Sequence, residues 1–286
     1  MVSNGWIIEL IEYTDPYCTW CWASEPILRK IKEHFGEQVK ILFKMGGLVD
    51  DVKTFYDPSN AIGGSNMFEQ VAIHWDDASS RHGMPVDSRG FSDLKDSFTS
   101  THPANIAYKA AQIQNQDLAD KFLRRMREAA AAERKQIHKV ETQIELAKEI
   151  GLNTDKFLES IESGIAKEAF LKELNVGRKL GITGFPTFAI SNRKGKSIRL
   201  HGFQQYKRFE QAFESLLEKK MRKQQVPLNN ENILKFIEKY RKVATQEVAT
   251  LFEIKKEEAF KFLSKLKQEE KIVSRQAGND FFWLMN

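Results

Sequence analysis

Residues 6–21 read WIIELIEYTDPYCTWC, an apolar segment that ends in a turn and leads directly into two cysteines. β-branched and aromatic residues fill 6–13, and Thr14-Asp15-Pro16 is typical of a turn, so the segment predicts a β-strand. A helix is expected over 26–35, where apolar residues recur at spacings of three and four before Gly36. Residues 39–45 predict a second strand. This order of strand, helix and strand indicates a βαβ unit with parallel strands.

Beyond this unit, the chain divides into a helical block and the second half of a sheet. Residues 48–100 are rich in Asp, Ser, Gly and aromatic residues and predict loops around short helices. Five Ala-rich helical segments follow, at 104–114, 118–132, 138–150, 154–162 and 166–180. Residues 186–191 and 196–200 predict a hairpin, and 206–221 a helix. We therefore expect an α/β fold over 1–221, with a helical insertion at about 66–181.

The last part of the chain has a different charge and a new pattern. From residue 222 onward there are 13 Lys and Arg against 9 Asp and Glu, whereas the rest is almost neutral. Residues 222–229 are polar and predict a linker. Helices are expected at 233–240, at 245–252 with Thr245 as the N-cap, and at 255–267, followed by a hairpin of 272–275 and 281–284. This order predicts a small winged helix-turn-helix domain at 230–286.

The partner of this second domain is left open by its sequence. Helix 255–267 is rich in lysine but also carries Glu257 and Glu258, and it contains no Arg, Asn or Gln to grip base edges. Such a helix supports at most non-specific contact with phosphates. We therefore expect a protein partner in preference to DNA.

The overall composition excludes several classes of protein. The 286 residues are 41% hydrophobic and 29% charged, with a net charge of +5, which excludes disordered and collagen-like chains. No run of about 18 apolar residues is present, and the apolar stretch near the N-terminus contains Glu9 and Glu12. We expect a cytoplasmic protein with no membrane association.

The only two cysteines, Cys18 and Cys21, form a C-x-x-C motif at a predicted strand-to-helix junction. A helix N-terminus favours an anion, so this position stabilises the thiolate of Cys18. Two sulfurs at this spacing can form a disulfide, with Cys18 as the attacking thiol and Cys21 as the resolving thiol. Thr19 and Trp20 lie between them and are expected to set the redox poise and to contact substrate.

Other interpretations of the motif compete with this one. A zinc site needs two more ligands, and His74, His82 and His102 stand at no suitable spacing. Two buried, inert thiols are a second alternative. Gly63-Gly64 is too short for a phosphate loop. The βαβ context favours a redox pair, and the sequence predicts no metal and no cofactor.

Glu12 is a further candidate, since it lies six residues before Cys18 within an apolar strand. Glu9 and Glu12 are three apart and point to opposite faces of the strand. One of them can therefore occupy an ordinary edge or solvent-facing position. A buried carboxylate near the thiols can exchange a proton with Cys21, which makes Glu12 a candidate catalytic acid.

Residues 12–26 (EYTDPYCTWCWASEP), the helical block and residues 181–190 (GITGFPTFAI) together resemble the DsbA family of thioredoxin-fold oxidoreductases, in particular its FrnE-like branch. The resemblance covers residue 6 to about residue 218. It implies that Cys18 is the nucleophile, Cys21 the resolving thiol, Glu12 the buried acid, and Pro186 a cis-proline opposite the thiols. An X-Pro bond is the one low-cost cis peptide, and it would expose the backbone of Phe185 to a substrate chain.

One departure from that family and one further similarity keep alternatives open. Thr19-Trp20 replaces the Pro-His pair of its periplasmic oxidases, so the redox potential is not fixed by the resemblance. A DsbA-like domain followed by a winged helix is also similar to the bacterial adaptor that presents the regulator Spx to the ClpXP protease. In such an adaptor the C-x-x-C pair is a redox sensor or is dispensable. Glutathione-dependent relatives of the fold use serine where Cys18 stands and are disfavoured.

We thus expect a cytoplasmic thiol–disulfide oxidoreductase or isomerase that acts on protein or peptide disulfides. The alternative is an adaptor that presents a client regulator to a protease. The site residues expected for the first function are Cys18, Cys21, Pro186 and Glu12 in catalysis and Thr19, Trp20 and Phe185 in substrate binding.

Overall fold

The computed structural model of the protein describes residues 5–286, and it begins with the βαβ unit that the sequence predicts. Strand β1 (Ile8–Thr14) leads into helix α1 (Thr19–Phe35), which is followed by strand β2 (Val39–Met45). β1 and β2 are parallel, with Glu12 opposite Phe43. The predicted parallel pairing is therefore confirmed. Cys18 ends the turn between β1 and α1, and Cys21 lies in the first turn of α1; we call residues 15–21 the cysteine turn.

A mostly helical block follows and covers one side of this unit. Its elements are β3 (Tyr56–Asp57), β4 (Ile62–Gly63), α2 (Met67–His82), α3 (Arg89–Ser92), α4 (His102–Gln114), α5 (Gln116–Ala132), α6 (Val140–Ile150), α7 (Thr154–Glu162) and α8 (Ile165–Lys179). The five predicted Ala-rich helices all form, with bounds that differ by two residues or fewer. Alanine has the highest helix propensity and also allows close packing between helices, which explains why this pattern predicts the block well.

The chain then returns to the sheet. Strand β5 (Thr187–Asn192) pairs antiparallel with β1, strand β6 (Ser197–His201) pairs antiparallel with β5, and helix α9 (Tyr206–Leu217) packs against them. The four-stranded sheet has the order β2-β1-β5-β6, which places β1 in its interior. The predicted end of α9 at residue 221 is wrong, because Glu218 adopts a φ of +56° and ends the helix.

The remaining elements are α10 (Asn230–Tyr240), β7 (Val243–Ala244), α11 (Thr245–Phe252), α12 (Lys256–Gln268), β8 (Ile272–Ala277) and β9 (Asp280–Met285). We call these elements together the C-terminal module. Its strands form a separate sheet in the order β7-β9-β8. The expected N-cap at Thr245 is wrong, because its hydroxyl donates to Asp280 and accepts from the Trp283 indole. The N-terminus of α11 is closed instead by Glu247, which accepts the Ala244 N–H.

The C-terminal module has a hydrophobic core of its own, with Trp283 and Leu263 near its centre. It nevertheless packs against the first part of the chain, where α11 lies on α1. The tip of the β8–β9 hairpin also meets the loop after α2: Asn279 N donates to Val86 O at 3.0 Å, and Val86 N donates to Asn279 Oδ1 at 3.1 Å. Gly278 makes this approach possible, since a Cβ there would lie 2.1 Å from Val86 O.

No helix within the described residues 5–286 is long and apolar enough to cross a membrane.

Candidate functional site

The two cysteines lie at the N-terminus of α1, next to the interior strand β1. Cys18 is the N-cap residue, with extended backbone angles, and its Sγ accepts the backbone N–H of Cys21 at 3.2 Å. Cys18 is 5% exposed, whereas Cys21 is fully buried. Burial raises the pKa of Cys21 well above its usual value, and its contact with Cys18 and the charge of Glu12 raise it further. Cys21 therefore stays a thiol at neutral pH, and Cys18 is the more accessible of the two cysteines.

The Phe185-Pro186 peptide bond is cis, as the resemblance implies. It directly precedes β5, and the pairing of Tyr13 with Thr187 places Pro186 beside the end of β1, from which the cysteine turn departs. Pro186 O accepts from Gly202 N at 2.8 Å. The ring of Phe185 lies against Gly46, where an added Cβ would be 2.0 Å from the ring. The fold thus brings Gly184-Phe185-Pro186 and the cysteine turn to the same end of the sheet.

A cavity of about 700 Å³ opens beside Cys18. Apolar and aromatic side chains dominate its lining, which includes Tyr13, Tyr17, Trp20, Phe55, Phe68 and Phe185. The cavity lies between the sheet and the helical block, and it is large enough for one or two side chains of a peptide or for a small ligand.

The two residues between the cysteines have different surroundings. The Trp20 indole makes edge contacts with His82 and His74, at ring centroid distances of 5.9 and 6.3 Å, and borders the cavity. Thr19 also borders the cavity but is buried, and its hydroxyl is 3.3 Å from His82 Nε2. Trp20 thus offers the larger surface to a ligand, while the Thr19 hydroxyl is engaged within the protein.

Glu12 is fully buried, while Glu9, on the opposite face of β1, is partly exposed. Glu12 Oε1 accepts from Thr14 Oγ1 at 3.0 Å and lies 3.3 Å from Arg127 Nη2, and Oε2 has no hydrogen-bond partner among the described residues. Burial raises the pKa of Glu12 to about 7, although Arg127 opposes the change. A carboxyl group with this pKa can both accept and release a proton near neutral pH.

Arg127 is a site residue that the sequence pattern did not indicate, and its guanidinium is completely buried. It also donates to Thr14 Oγ1, and its Nη1 lies 2.5 Å from Glu25 Oε1. The sequence contains one signal of this burial, because the apolar residues Leu123 and Ala131 stand one helical turn before and after Arg127. Both are buried in the structure, so Arg127 lies on the apolar face of α5. A cation at such a position requires a buried anionic partner.

Asp15 is a second missed residue. Its buried carboxylate accepts from the backbone N–H of Tyr17 at 2.9 Å and of Leu48 at 2.8 Å. It also accepts from Thr101 Oγ1 and Asn105 Nδ2, each at 2.8 Å. Burial raises the pKa of Asp15, while these hydrogen bonds act to lower it. Asp15 thereby ties the cysteine turn to the loop after β2 and to α4.

Among residues 5–286, no three His, Cys, Asp or Glu side chains come together in an arrangement that could hold a metal ion.

Comparison with known proteins gives matches at two levels. The sequence model of a family described as Thioredoxin matches residues 12–211. The ClpXP adapter protein SpxH of Halalkalibacterium halodurans is 30% identical over 280 residues, which covers 96% of this chain and 88% of the relative. SpxH of Bacillus subtilis is 25% identical over 279 residues, with the same coverage.

Among solved structures, the cytosolic disulfide reductase DsbM from Pseudomonas aeruginosa matches with a TM-score of 0.57 and 23% identity. That match covers 73% of this chain and 98% of DsbM. The likeness to DsbM is one of fold, whereas the similarity to the adapter proteins extends over nearly the whole chain.

Proposed function

Because the chain belongs to the Thioredoxin family and to the family of the SpxH adapter proteins, we propose that it is a cytoplasmic protein that carries out thiol–disulfide exchange on protein or peptide substrates. One observation carries this proposal. Cys18 caps a helix beside an open cavity, while Cys21 lies buried behind it, hydrogen-bonded to the Cys18 sulfur. This is the arrangement that an attacking and a resolving thiol require.

The exchange has two steps. The Cys18 thiolate attacks one sulfur of a substrate disulfide; the substrate S–S bond breaks, a mixed disulfide forms, and one substrate thiolate leaves and takes up a proton. Cys21 then loses its proton and attacks the Cys18 sulfur, which releases the second substrate thiol. The substrate gains two electrons and two protons, and the pair Cys18–Cys21 becomes a disulfide. In the reverse direction the same steps oxidise or isomerise a substrate.

Glu12 is the group that we propose accepts the proton of Cys21. Its negative charge raises the pKa of Cys21, and its own pKa of about 7 suits transfer near neutral pH. Neutral Glu12 would then favour the Cys21 thiolate, because the repulsion between two anions is removed.

For substrate binding, we propose that the backbone of Phe185 pairs with an extended substrate segment before the cis bond to Pro186. Thr19 and Trp20 would contact the substrate at the mouth of the cavity. The aromatic lining of the cavity favours substrates with an apolar residue next to their cysteine.

The test is a trapping experiment. Cys21→Ser is expected to accumulate mixed disulfides with substrate proteins under mild oxidation, because the resolving thiol is absent; Cys18→Ser is the matched control and should trap none. The parent protein should also reduce insulin in the presence of dithiothreitol. If Cys21→Ser traps nothing and the parent neither reduces insulin nor reoxidises reduced RNase, thiol–disulfide exchange is excluded as its activity.

A second function, that of a ClpXP adaptor presenting a client regulator such as Spx, is supported by the relatives that match along nearly the whole chain. The C-terminal module follows the order helix, strand, helix, helix and hairpin, which fits the proposed winged-helix domain at 230–286 after a linker at 222–229. We propose that it binds a protein in preference to DNA. On α12, Lys256 contacts Gly83 O and Asp280 and is not free to contact phosphates.

Reconstituted proteolysis separates the two functions. A Cys18→Ser, Cys21→Ser double variant should promote proteolysis of the client as well as the parent does if the adaptor role needs no thiol chemistry. Loss of that stimulation in the double variant, with its fold intact by circular dichroism, would show that the thiols take part.

A further inference from the structure

A continuous series of buried charged side chains runs from the thiol pair into the C-terminal module. Its members alternate in sign in the order Glu12, Arg127, Glu25, Arg124 and Glu247, and we call them the buried ion-pair chain. Each member is 9% exposed or less. They come from four elements that lie far apart in the sequence: β1, α1, α5 and α11.

The first half of the buried ion-pair chain lies near Cys21, whose pKa is raised by the charge of Glu12 and lowered by that of Arg127. Arg127 lies between Glu12 and Glu25, with Nη2 3.3 Å from Glu12 and Nη1 2.5 Å from Glu25. Cys21 is close enough that its charge affects the pKa of Arg127. Burial alone would raise the pKa of Glu25, but the guanidinium groups beside it hold that pKa below its usual value, so Glu25 stays ionised.

The second half enters the C-terminal module. Arg124 Nη1 lies 3.4 Å from Glu25 Oε2 and 2.7 Å from Glu247 Oε1, and its Nη2 lies 3.0 Å from Glu247 Oε2. Glu247 is fully buried and also pairs with Arg29 of α1 at 2.9 Å. The same carboxylate accepts the Ala244 N–H that starts α11. Glu247 therefore belongs both to the fold of the module and to its contact with α1.

Shared partners make the two ends of this chain interdependent. Charges removed from water interact strongly, and a buried charge that loses its partner is costly. Arg127 is shared between two carboxylates, and Arg124 contacts Glu128 in addition to Glu25 and Glu247. A change of charge at one end therefore alters how firmly the next cation is held. The thiol pair undergoes such a change, because its reduced form can carry a thiolate and its disulfide cannot.

We propose that the buried ion-pair chain couples the redox state of Cys18 and Cys21 to the docking of the C-terminal module on α1. This inference rests on the proposed thiol–disulfide exchange, in which the pair passes two electrons to a substrate disulfide. Docked Glu247 adds a negative charge that disfavours the thiolate of the reduced pair. By reciprocity, the disulfide form binds the module more tightly than the reduced form does.

The first test measures the redox equilibrium of the full chain with glutathione. Glu247→Gln removes the charge at the end of the chain, and Glu253→Gln is the matched control. Glu253 also faces α1, where it pairs with Lys30 at 2.7 Å, but it is largely exposed and does not belong to the buried ion-pair chain. Coupling energies through such networks are about 0.5–2 kcal/mol. We therefore expect the redox equilibrium constant of Glu247→Gln to shift toward the reduced form by about twofold to thirtyfold. This is about 10 to 45 mV for a two-electron couple.

The second test needs no substitution. Amide hydrogen exchange of Thr245–Phe252 is compared in the oxidised and the fully reduced parent protein. Linkage requires exchange to be slower in the oxidised protein, in which the module is docked more tightly. In Glu247→Gln the difference between the two redox states should shrink.

The outcomes distinguish this inference from the function on which it rests. If no disulfide forms between Cys18 and Cys21 at any glutathione ratio, the proposed exchange fails, and the coupling fails with it. If the disulfide forms with the same equilibrium constant in the parent, Glu247→Gln and Glu253→Gln, or if Thr245–Phe252 exchanges equally in both redox states, the coupling alone is refuted. Should Glu247→Gln not fold, the exchange comparison in the parent decides.

Discussion

Glu12→Gln is expected to change how the stability of the protein depends on pH. Glu12 is fully buried, and burial raises its pKa from 4.5 to about 7. Between these two values the folded protein holds a proton on Glu12 that the unfolded chain releases. The free energy of unfolding of the parent therefore falls as the pH rises through this range, and the loss is complete above the folded pKa.

The magnitude follows from the two pKa values. At about 1.4 kcal/mol per pH unit, a pKa change from 4.5 to about 7 corresponds to a total of about 3.5 kcal/mol. About 2.5 kcal/mol of this total falls between pH 5 and pH 8. Glutamine keeps the shape of the side chain and cannot ionise. The stability of Glu12→Gln relative to the parent should therefore rise by about 2.5 kcal/mol from pH 5 to pH 8.

The assay is equilibrium unfolding in urea at pH 5, 6, 7 and 8, with the thiols kept reduced. Glu9→Gln is the matched control on the same strand, since Glu9 is partly exposed, 3.7 Å from Lys40, and its substitution should leave the pH profile of the parent unchanged. A difference between Glu12→Gln and the parent that is constant from pH 5 to pH 8 would refute the protonation of Glu12 near neutral pH.

Three further substitutions test the geometry of the site and of the module contact. Gly46→Ala places a methyl group 2.0 Å from the ring of Phe185, so it should cost about 1–3 kcal/mol in urea unfolding and slow insulin reduction through displacement of that ring. The Asp15 carboxylate accepts four hydrogen bonds, and Asp15→Asn turns one of its acceptor oxygens into a donor. We expect this variant to lose about 2–4 kcal/mol of unfolding free energy and its thiols to react more slowly with Ellman's reagent. Gly278→Ala forces a Cβ to within 2.1 Å of Val86 O at a φ of +54°. We expect faster amide hydrogen exchange at the tip of the β8–β9 hairpin and unchanged exchange in the rest of the β7-β9-β8 sheet. Unchanged unfolding, thiol reactivity or exchange in the respective variant would contradict each of these expectations.

The local part of the fold could be predicted from the sequence because its signals are short-range. The apolar strand at 6–13, the alternation in 39–45 and the Ala-rich helices each depend on neighbours within a few residues. Part of the site rests on the same kind of signal, since C-x-x-C at a strand-to-helix junction is a local motif that predicts where Cys18 lies. The location of Pro186 opposite the thiols, by contrast, was implied by the resemblance to the DsbA family.

The buried charges could not be predicted in this way. Arg124 and Glu128 are four apart on α5, a spacing that indicates a solvated ion pair on a helix surface. In the structure both are buried, because Arg124 pairs with Glu247, 123 residues later in the chain. On α1, Arg29 is buried in the same way, because α11 covers it and its Glu247 is the partner of the guanidinium. Only the packing of distant segments determines these partners.

The connection between α9 and α10 has a consequence for any protein that would use the C-terminal module. Only residues 218–229 join the two helices, and Gln224 N of this segment donates to His34 O of α1 at 2.8 Å. A short tether holds a docked surface at an effective concentration of the order of millimolar. A partner that binds the face of α11 packed on α1 must compete with α1 at that effective concentration. A partner that binds around exposed Phe260 on α12 meets no such competition.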